Sequence, residues 1–228
     1  MVISSTPCDG PRWVSRFIPD REAPSAKLRA IRWGDPYYMS HQLAGDLQGY
    51  SSGDGGRDFI FYVRPRKLDT SVTIVSRREP VPTSLPWTVV TKEYPRVFEA
   101  GSWFRFETWI SPIVKHDKQE DDIVTDLRRK KRITPGDAMG INENHEAVLA
   151  WFSKRDFGFS VRPDHMAVMS RDHHVIQRPD PKPPVVFFSY DVKGILTVTD
   201  PHKFYRTLVE GVGKRRGFGC GLLRIARG

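Results

Sequence analysis

Short apolar runs separated by polar turns make up the first half of the chain. Residues 13–18, 59–63 and 72–76 have the length and the β-branched or aromatic content of strands. Asp35 followed by Pro36 is typical of a helix N-cap with proline at the first helical position, and it predicts a helix that runs to about residue 48. A proline-rich linker follows at residues 80–86. The first half therefore predicts the order strand, helix, strand, strand.

The second half repeats this alternation with longer polar interruptions. Residues 103–110 alternate in the way a half-buried strand does, and an apolar stripe containing Trp151 predicts a helix capped by Asn142 or Asn144. The elements predicted after it are a long polar loop over residues 164–184, a hairpin of residues 185–190 and 195–199, a helix capped by Asp200 ahead of Pro201, and a last strand at residues 222–225.

Two successive strand–helix–strand–strand patterns favour an α+β protein. The simplest such arrangement is two tandem ferredoxin-like, or RRM-like, domains. We divide the chain into residues 1–88, which contain the first predicted helix, and residues 89–228, which contain the longer interruptions. RRM-type RNA-binding proteins are built from the same unit.

The charge of the chain points to a polyanionic partner. Lysine and arginine number 36 against 27 acidic residues, which gives a net charge of +9. Each phosphate that such cations neutralise releases counterions, so this balance predicts nucleic-acid binding. The sequence has no apolar run of transmembrane length and no signal-peptide pattern in its first eleven residues. Because Cys8 and Cys220 are the only cysteines, we expect a cytoplasmic protein with no membrane contact.

A glycine loop, residues 211–221, has the composition of a phosphate-binding segment. Its five glycines surround three consecutive cations, and a backbone without Cβ atoms lets a phosphodiester approach closely. The alternative is structural, since Gly211 follows a helical pattern and can be its C-terminal glycine. The candidate RNA-binding residues of this loop are Gly211, Gly213, Lys214, Arg215, Arg216, Gly217 and Gly219.

A second basic segment consists of five consecutive cations. Like charges at this density repel one another unless a polyanion neutralises them, so we expect a flexible basic loop that contacts nucleic acid. A solvated loop without a ligand is the alternative. The residues are Arg128, Arg129, Lys130, Lys131 and Arg132.

The first predicted helix carries the candidate catalytic pair. Tyr38 and His41 are three residues apart, so they share a helix face opposite the apolar stripe. A phenol beside an imidazole suits proton transfer, although an exposed histidine without a function has the same pattern. No histidine or cysteine spacing is typical of a zinc site, and we expect no metal or other cofactor. The acidic run at residues 120–122 is interpreted as a solvated face.

Several of these segments together resemble the CasE family, the CRISPR RNA-processing endoribonucleases of type I-E Cascade. The resemblance covers nearly the whole chain in the family's order, and the Tyr-x-x-His helix and the glycine loop are its most specific parts. The matching segments are residues 13–16, 37–42, 57–61, 104–106, 111–113, 194–198, 211–213 and 218–223.

The resemblance implies a metal-independent ribonuclease that cuts CRISPR repeat RNA at the 3′ base of its hairpin. It also implies that the protein stays bound to the hairpin, together with other Cascade subunits. In this chain the catalytic residues would be His41 and Tyr38, and residues 128–132 would grip the RNA stem. The alternatives are a hairpin-binding subunit without catalysis and a protein-interaction module.

Overall fold

The first sheet is fully antiparallel and has the strand order β2-β3-β1-β4. The structure is a computed structural model that describes residues 12–19, 43–49, 58–63, 71–80, 87–117, 119–134, 141–177 and 183–227. The four strands are β1 (Trp13–Pro19), β2 (Phe59–Tyr62), β3 (Val72–Ser76) and β4 (Trp87–Glu93). The predicted hairpin of residues 59–63 and 72–76 is therefore present as the β2–β3 pair.

The core of this first unit lies between the sheet and the helical residues 43–47. Phe17, Phe61 and Ile74 are completely buried, and Leu43 and Leu47 join them in one apolar cluster. The described residues thus include the C-terminal end of the helix predicted to carry Tyr38 and His41, whereas those two residues lie outside the described part of the chain.

The second sheet is also antiparallel and has the order β10-β5-β9-β8. In chain order its elements are β5 (Trp103–Ile110), α2 (Ile141–Ser153), β8 (Phe159–Ile176), β9 (Val185–Val198), α3 (Pro201–Glu210) and β10 (Arg224–Ala226). Helix α2 thus lies between β5 and β8 in the sequence, and helix α3 lies between β9 and β10. Both sheets have the strand order of the ferredoxin-like unit, which confirms the predicted α+β class with two such units.

An insertion interrupts the second unit between β5 and α2. It consists of a two-stranded hairpin, β6 (Ile113–His116) with β7 (Gln119–Asp122), followed by helix α1 (Ile123–Lys131). The prediction of a flexible loop at residues 128–132 is wrong, because Arg128–Lys131 form the last turn of α1. Asp122 caps the start of this helix, and the cations in its last turn interact favourably with the negative end of the helix dipole.

The prediction of a long polar loop at residues 164–184 is wrong as well. Most of it is β8, an 18-residue strand whose inward positions include a histidine. His174 is buried and its Nε2 lies 2.6 Å from Ser189 Oγ on the neighbouring strand β9. Polar residues at buried positions interrupt the apolar–polar alternation that indicates a strand, so the sequence predicted a loop here.

Strand β9 replaces the predicted hairpin of residues 185–190 and 195–199. The supposed turn contains Gly194, which continues the strand opposite an irregularity of β8. A Cβ atom at Gly194 would lie 2.3 Å from the carbonyl oxygen of His165. The glycine therefore serves a close approach of two strands and not a turn.

The helix boundaries follow their capping residues. The side chain of Asp200 accepts hydrogen bonds from the backbone N–H groups of His202 and Lys203, so the predicted cap of α3 is confirmed. Asn142 and Asn144 lie inside α2 and do not cap it. The predicted domain division between residues 88 and 89 falls within β4, all of which pairs with β1. Within the described residues, no helix is long and apolar enough to cross a bilayer.

Candidate nucleic-acid interface

The glycine loop is held against the second sheet by backbone hydrogen bonds. The N–H of Val212 donates to the carbonyl of Gly221 at 2.7 Å, and the N–H of Gly221 donates to Trp109 at 2.6 Å. Gly221 has a φ of +93°, and a Cβ atom there would lie 2.5 Å from the Val212 oxygen. The loop therefore has a fixed shape that an alanine at this position would not permit.

The loop also contacts the first unit. A Cβ atom at Gly219 would lie 3.1 Å from the ring of Phe61 in β2, and one at Gly211 would lie 3.3 Å from Ile60. Phe61 belongs to the same core cluster as Leu43 and Leu47. The glycine loop and the described end of the first helix are thus both anchored to β2.

Three glycines of the loop have structural roles. Gly211 ends α3, and its N–H donates to the carbonyl of Thr207, as the structural alternative predicted. Gly217 lies within a short 3-10 turn, Arg216–Phe218. Gly213 has a φ of +80° and packs against the Trp151 ring, where a Cβ atom would be 3.4 Å away.

The three cations of the glycine loop take different directions. Lys214 Nζ and Arg215 Nη2 lie 3.8 and 3.6 Å from the carboxylate of Glu120 in β7. Arg216 instead donates a hydrogen bond from Nη1 to the carbonyl of Glu210 at the end of α3. The structure therefore brings Lys214 and Arg215 to a common anion and uses Arg216 to hold the loop to its preceding helix.

The cations of α1 face acidic side chains of the same chain. The four ion pairs are Arg128 with Glu143 at 3.5 Å, Arg129 with Asp121 at 2.9 Å, Lys130 with Asp126 at 2.6 Å, and Lys131 with Glu146. Arg132 follows as the left-handed cap, with a φ of +56°. The free protein therefore partly neutralises the segment that the sequence analysis assigned to the RNA stem.

Asp126 illustrates the electrostatics of this insertion. Burial alone would raise the pKa of its carboxyl group, but hydrogen bonds from Lys130 and His116 outweigh burial and lower the pKa below its ordinary value. His116 Nε2 lies 2.7 Å from Asp126 Oδ1. The carboxylate thus ties the β6–β7 hairpin to the basic end of α1.

A second carboxylate joins the insertion to the β8–β9 hairpin. Asp122 Oδ1 accepts the hydroxyl of Tyr190 at 2.7 Å, and Asp122 Oδ2 accepts Arg171 Nη2 at 2.9 Å. Arg171 also donates from Nε to the Tyr190 hydroxyl at 3.0 Å, and its guanidinium lies 3.8 Å from the centre of the Phe188 ring. Burial and the neighbouring Asp122 charge raise the pKa of Tyr190, so its hydroxyl remains a donor.

The acidic run at residues 120–122 is therefore not the solvated face that the sequence analysis expected. Glu120 faces the glycine loop, Asp121 is paired with Arg129, and the side chain of Asp122, which is 8% exposed, belongs to the network just described. The sequence held one signal for this pairing: the basic run begins six positions after the last of three acidic residues. That spacing indicates ion pairs only if the basic run is known to be helical, because helical geometry then decides which side chains are neighbours.

The family comparison covers almost the entire chain. A family model described as CRISPR associated protein matches residues 12–227. The chain belongs to this family of CRISPR-associated proteins. The resemblance to the CasE family that the sequence analysis drew is confirmed.

One curated relative from this family is the CRISPR system Cascade subunit CasE of Escherichia coli (strain K12). It is 26% identical, and the match covers 89% of this chain and 98% of that protein. Its full-length correspondence agrees with the order of segments on which the resemblance was based.

Solved structures of CRISPR-associated proteins have the same fold. Cse3 bound to a 19 nt RNA matches with a TM-score of 0.69 at 19% identity, covering 95% of this chain and 100% of that one. Thermus thermophilus Cse3 bound to an RNA that represents a pre-cleavage complex gives 0.70 at 19% identity, with the same coverage. Cas6e of Escherichia coli K-12 gives 0.53 at 19% identity, covering 94% and 99%.

Proposed function

We propose that this chain is a cytoplasmic, metal-independent endoribonuclease that cleaves CRISPR repeat RNA at the 3′ base of its hairpin. It then stays bound to the mature hairpin and assembles with other Cascade subunits. The observation that carries the proposal is the anchoring of the glycine loop and the first helix to the same strand, β2, in a member of this family. Relatives described as RNA-bound CRISPR endoribonucleases support it.

The reaction is a transesterification within the RNA. The 2′-oxygen of the nucleotide before the scissile phosphate forms a bond to phosphorus, and the bond from phosphorus to the 5′-oxygen of the next nucleotide breaks. A base removes the 2′-hydroxyl proton, and an acid protonates the leaving 5′-oxygen. The products are a 2′,3′-cyclic phosphate and a 5′-hydroxyl, with no net redox change.

His41 and Tyr38 are the proposed catalytic residues. His41 acts as the general acid or base, since an imidazole changes charge near neutral pH. Tyr38 orients the 2′-hydroxyl or shares in the proton transfer. Holding the 2′-oxygen in line with the leaving oxygen supplies a further part of the rate.

The glycine loop stabilises the additional negative charge of the transition state. Lys214 and Arg215 already face an anion, the Glu120 carboxylate, in the free protein. Exchange of this carboxylate for a phosphate would place both cations on the pentacoordinate phosphorus group. Arg216 acts indirectly by holding the loop to α3.

RNA recognition combines the hairpin's shape with phosphate contacts, because A-form RNA hides the base edges of its major groove. We assign contacts with the stem to Arg128, Arg129, Lys130, Lys131 and Arg132. RNA phosphates then compete with the acidic partners of these cations, which makes binding sensitive to salt.

Cleavage by wild type and His41→Ala tests the proposal. Labelled hairpin repeat RNA is incubated with each protein in EDTA, and product ends are analysed for cyclic phosphate. The variant should be about 10²–10⁴-fold slower. His202→Ala, which removes an exposed imidazole from the first turn of α3, is the matched control and should cut at the wild-type rate.

A second RNA separates binding from catalysis. Replacing the nucleotide before the scissile phosphate by its 2′-deoxy form removes the nucleophile, so this RNA should bind normally and remain uncut. Equal cleavage by wild type and His41→Ala would refute the catalytic assignment. Tight binding of both RNAs without a cut by any protein would identify the non-catalytic hairpin-binding subunit instead.

A further inference from the structure

A cationic cavity lies beside the glycine loop, and two of its cations, Lys115 and Arg155, have no part in the proposed mechanism. It has a volume of about 360 Å³ and lies among the start of β6, the end of α2 and the loop. Its lining residues are Ile113, Lys115, Trp151, Arg155, Gly213 and Lys214. Three of these six residues are cations and none is acidic.

Lys115 and Arg155 differ from the cations of α1 in their partners. Each of the four cations of α1 from Arg128 to Lys131 is paired with a carboxylate. Among the residues that the structure describes, no ion pair joins Lys115 or Arg155 to an acidic group. The cavity therefore has positive charge that the fold leaves available.

Glu120 is an acidic side chain that lies close to two of the lining cations. It is the cross-strand partner of Lys115, and its carboxylate lies 3.8 Å from Lys214 Nζ. Arg215, beyond the cavity, shares the same carboxylate at 3.6 Å. Three lining cations against one shared carboxylate leave a net positive site.

Arg155 is fixed in place by the fold. Its Nη1 donates to the carbonyl of Trp151 and its Nη2 to the carbonyl of Ile113, each at 3.2 Å. The guanidinium also lies 4.3 Å from the centre of the Trp151 ring. A guanidinium positioned in this way loses little conformational freedom when an anion binds.

Trp151 also lines the cavity. The residue is 3% exposed, and its indole Nε1 is buried with no hydrogen-bond partner. The carbonyls of Trp151 and Ile113 already accept hydrogen bonds from Arg155. The side chains of the cavity thus offer donors and positive charge, which is the complement of an anion rich in oxygen acceptors.

We propose that this cavity binds a second phosphate group of the RNA backbone, held by Lys115 and Arg155, beside the scissile phosphate that the proposed mechanism assigns to Lys214. The inference rests on the proposed function, because it places an additional contact for the same RNA next to the glycine loop. Lys115 and Arg155 thereby become RNA-binding residues, outside the two basic segments that the sequence singled out.

The test measures how the affinity for RNA depends on salt. The proteins are wild type, Lys115→Ala and the control Lys154→Ala, which removes an exposed lysine adjacent to Arg155 that does not line the cavity. Each is titrated with a blunt RNA hairpin and with the same hairpin carrying a single-stranded extension, both 2′-deoxy at the cleavage position. Lys115→Ala should bind several-fold more weakly, and its slope of log affinity against log salt should shrink by about 1.

The two RNAs locate the phosphate. A loss for both hairpins assigns it to the stem, and a loss only for the extended RNA assigns it to the single strand. Arg155→Lys keeps the charge but loses the two-pronged geometry, so it should weaken RNA binding while the slope of log affinity against log salt stays close to that of wild type.

Different results would overturn the two proposals. If Lys115→Ala and Lys154→Ala match wild type in affinity and slope while wild type still cuts the cleavable hairpin, the phosphate site is wrong and the nuclease proposal stands. If wild type neither binds nor cuts hairpin RNA, the proposed function fails and the site fails with it.

Discussion

Asp122 shows how one residue can organise the insertion of the second unit. Its carboxylate caps α1 through the N–H groups of Val124 and Thr125, and it also accepts hydrogen bonds from Tyr190 and Arg171. A buried carboxylate is tolerated only when hydrogen bonds and an opposite charge replace its hydration. Here those partners come from β8 and β9, so the basic end of α1 is oriented by strands far from it in sequence.

The lowered pKa of Asp126 predicts that the stability of the protein depends on pH. Hydrogen bonds from Lys130 and His116 lower the pKa of this carboxyl group in the folded state. Its contribution to the free energy of unfolding is therefore complete above its ordinary pKa of about 4 and is lost as the pH falls through the lowered folded value. Urea unfolding between about pH 2 and pH 6 should show Asp126→Asn as less stable at pH 6, with a smaller difference at pH 2.

Asp117→Asn is the control for this series. It removes a carboxylate from the same hairpin, at an exposed position with a φ of +53° that asparagine readily adopts. Its difference from wild type should change little over the same range. A constant difference for Asp126→Asn at every pH would contradict the assigned pKa shift.

At the scale of elements, the β6–β7 hairpin covers the cations of the glycine loop. Glu120 in β7 shares its carboxylate between Lys214 and Arg215, which the proposed function assigns to the RNA. RNA must therefore displace this carboxylate. We expect Glu120→Gln to bind hairpin RNA several-fold more tightly than wild type, as measured by titration at fixed ionic strength.

A matched variant separates this contact from net charge. Glu107 pairs with Lys193 and Arg224 on the second sheet, at 3.0 and 3.3 Å. Glu107→Gln adds the same unit of positive charge, and long-range attraction alone would strengthen binding equally in both variants. Equal gains would show that Glu120 does not cover the loop.

The elements also show how far the sequence alone could lead. Cap residues and apolar alternation predicted β5, α3 and the β2–β3 hairpin correctly, because local chemistry decides these elements. Strand β8 could not be predicted in this way, since His174 and Ser189 occupy buried positions and their hydrogen bond joins two different strands. The glycine loop was identified from its composition, while the carboxylates that face the cations, and the proposed roles of Lys115 and Arg155, required the fold.

At the scale of the whole molecule, β2 connects the two units. Phe59 and Phe61 face the core of the first unit, while Ile60 and Tyr62 belong to the larger cluster formed with the second unit. Arg224 of β10 lies 4.6 Å from the centre of the Tyr62 ring, which adds a contact between the units. A strand buried on both faces fixes the first unit against the glycine loop, and the proposed site depends on that arrangement.

The central claim is that this molecule cuts a repeat hairpin once and keeps the hairpin fragment. The most direct measurement mixes the protein with one equivalent of labelled repeat RNA in EDTA and separates the mixture by gel filtration. We predict that the RNA is cut at the 3′ base of the stem, that the hairpin fragment elutes with the protein, and that the downstream fragment elutes free. Uncut RNA eluting with the protein, or both fragments eluting free, would contradict this account.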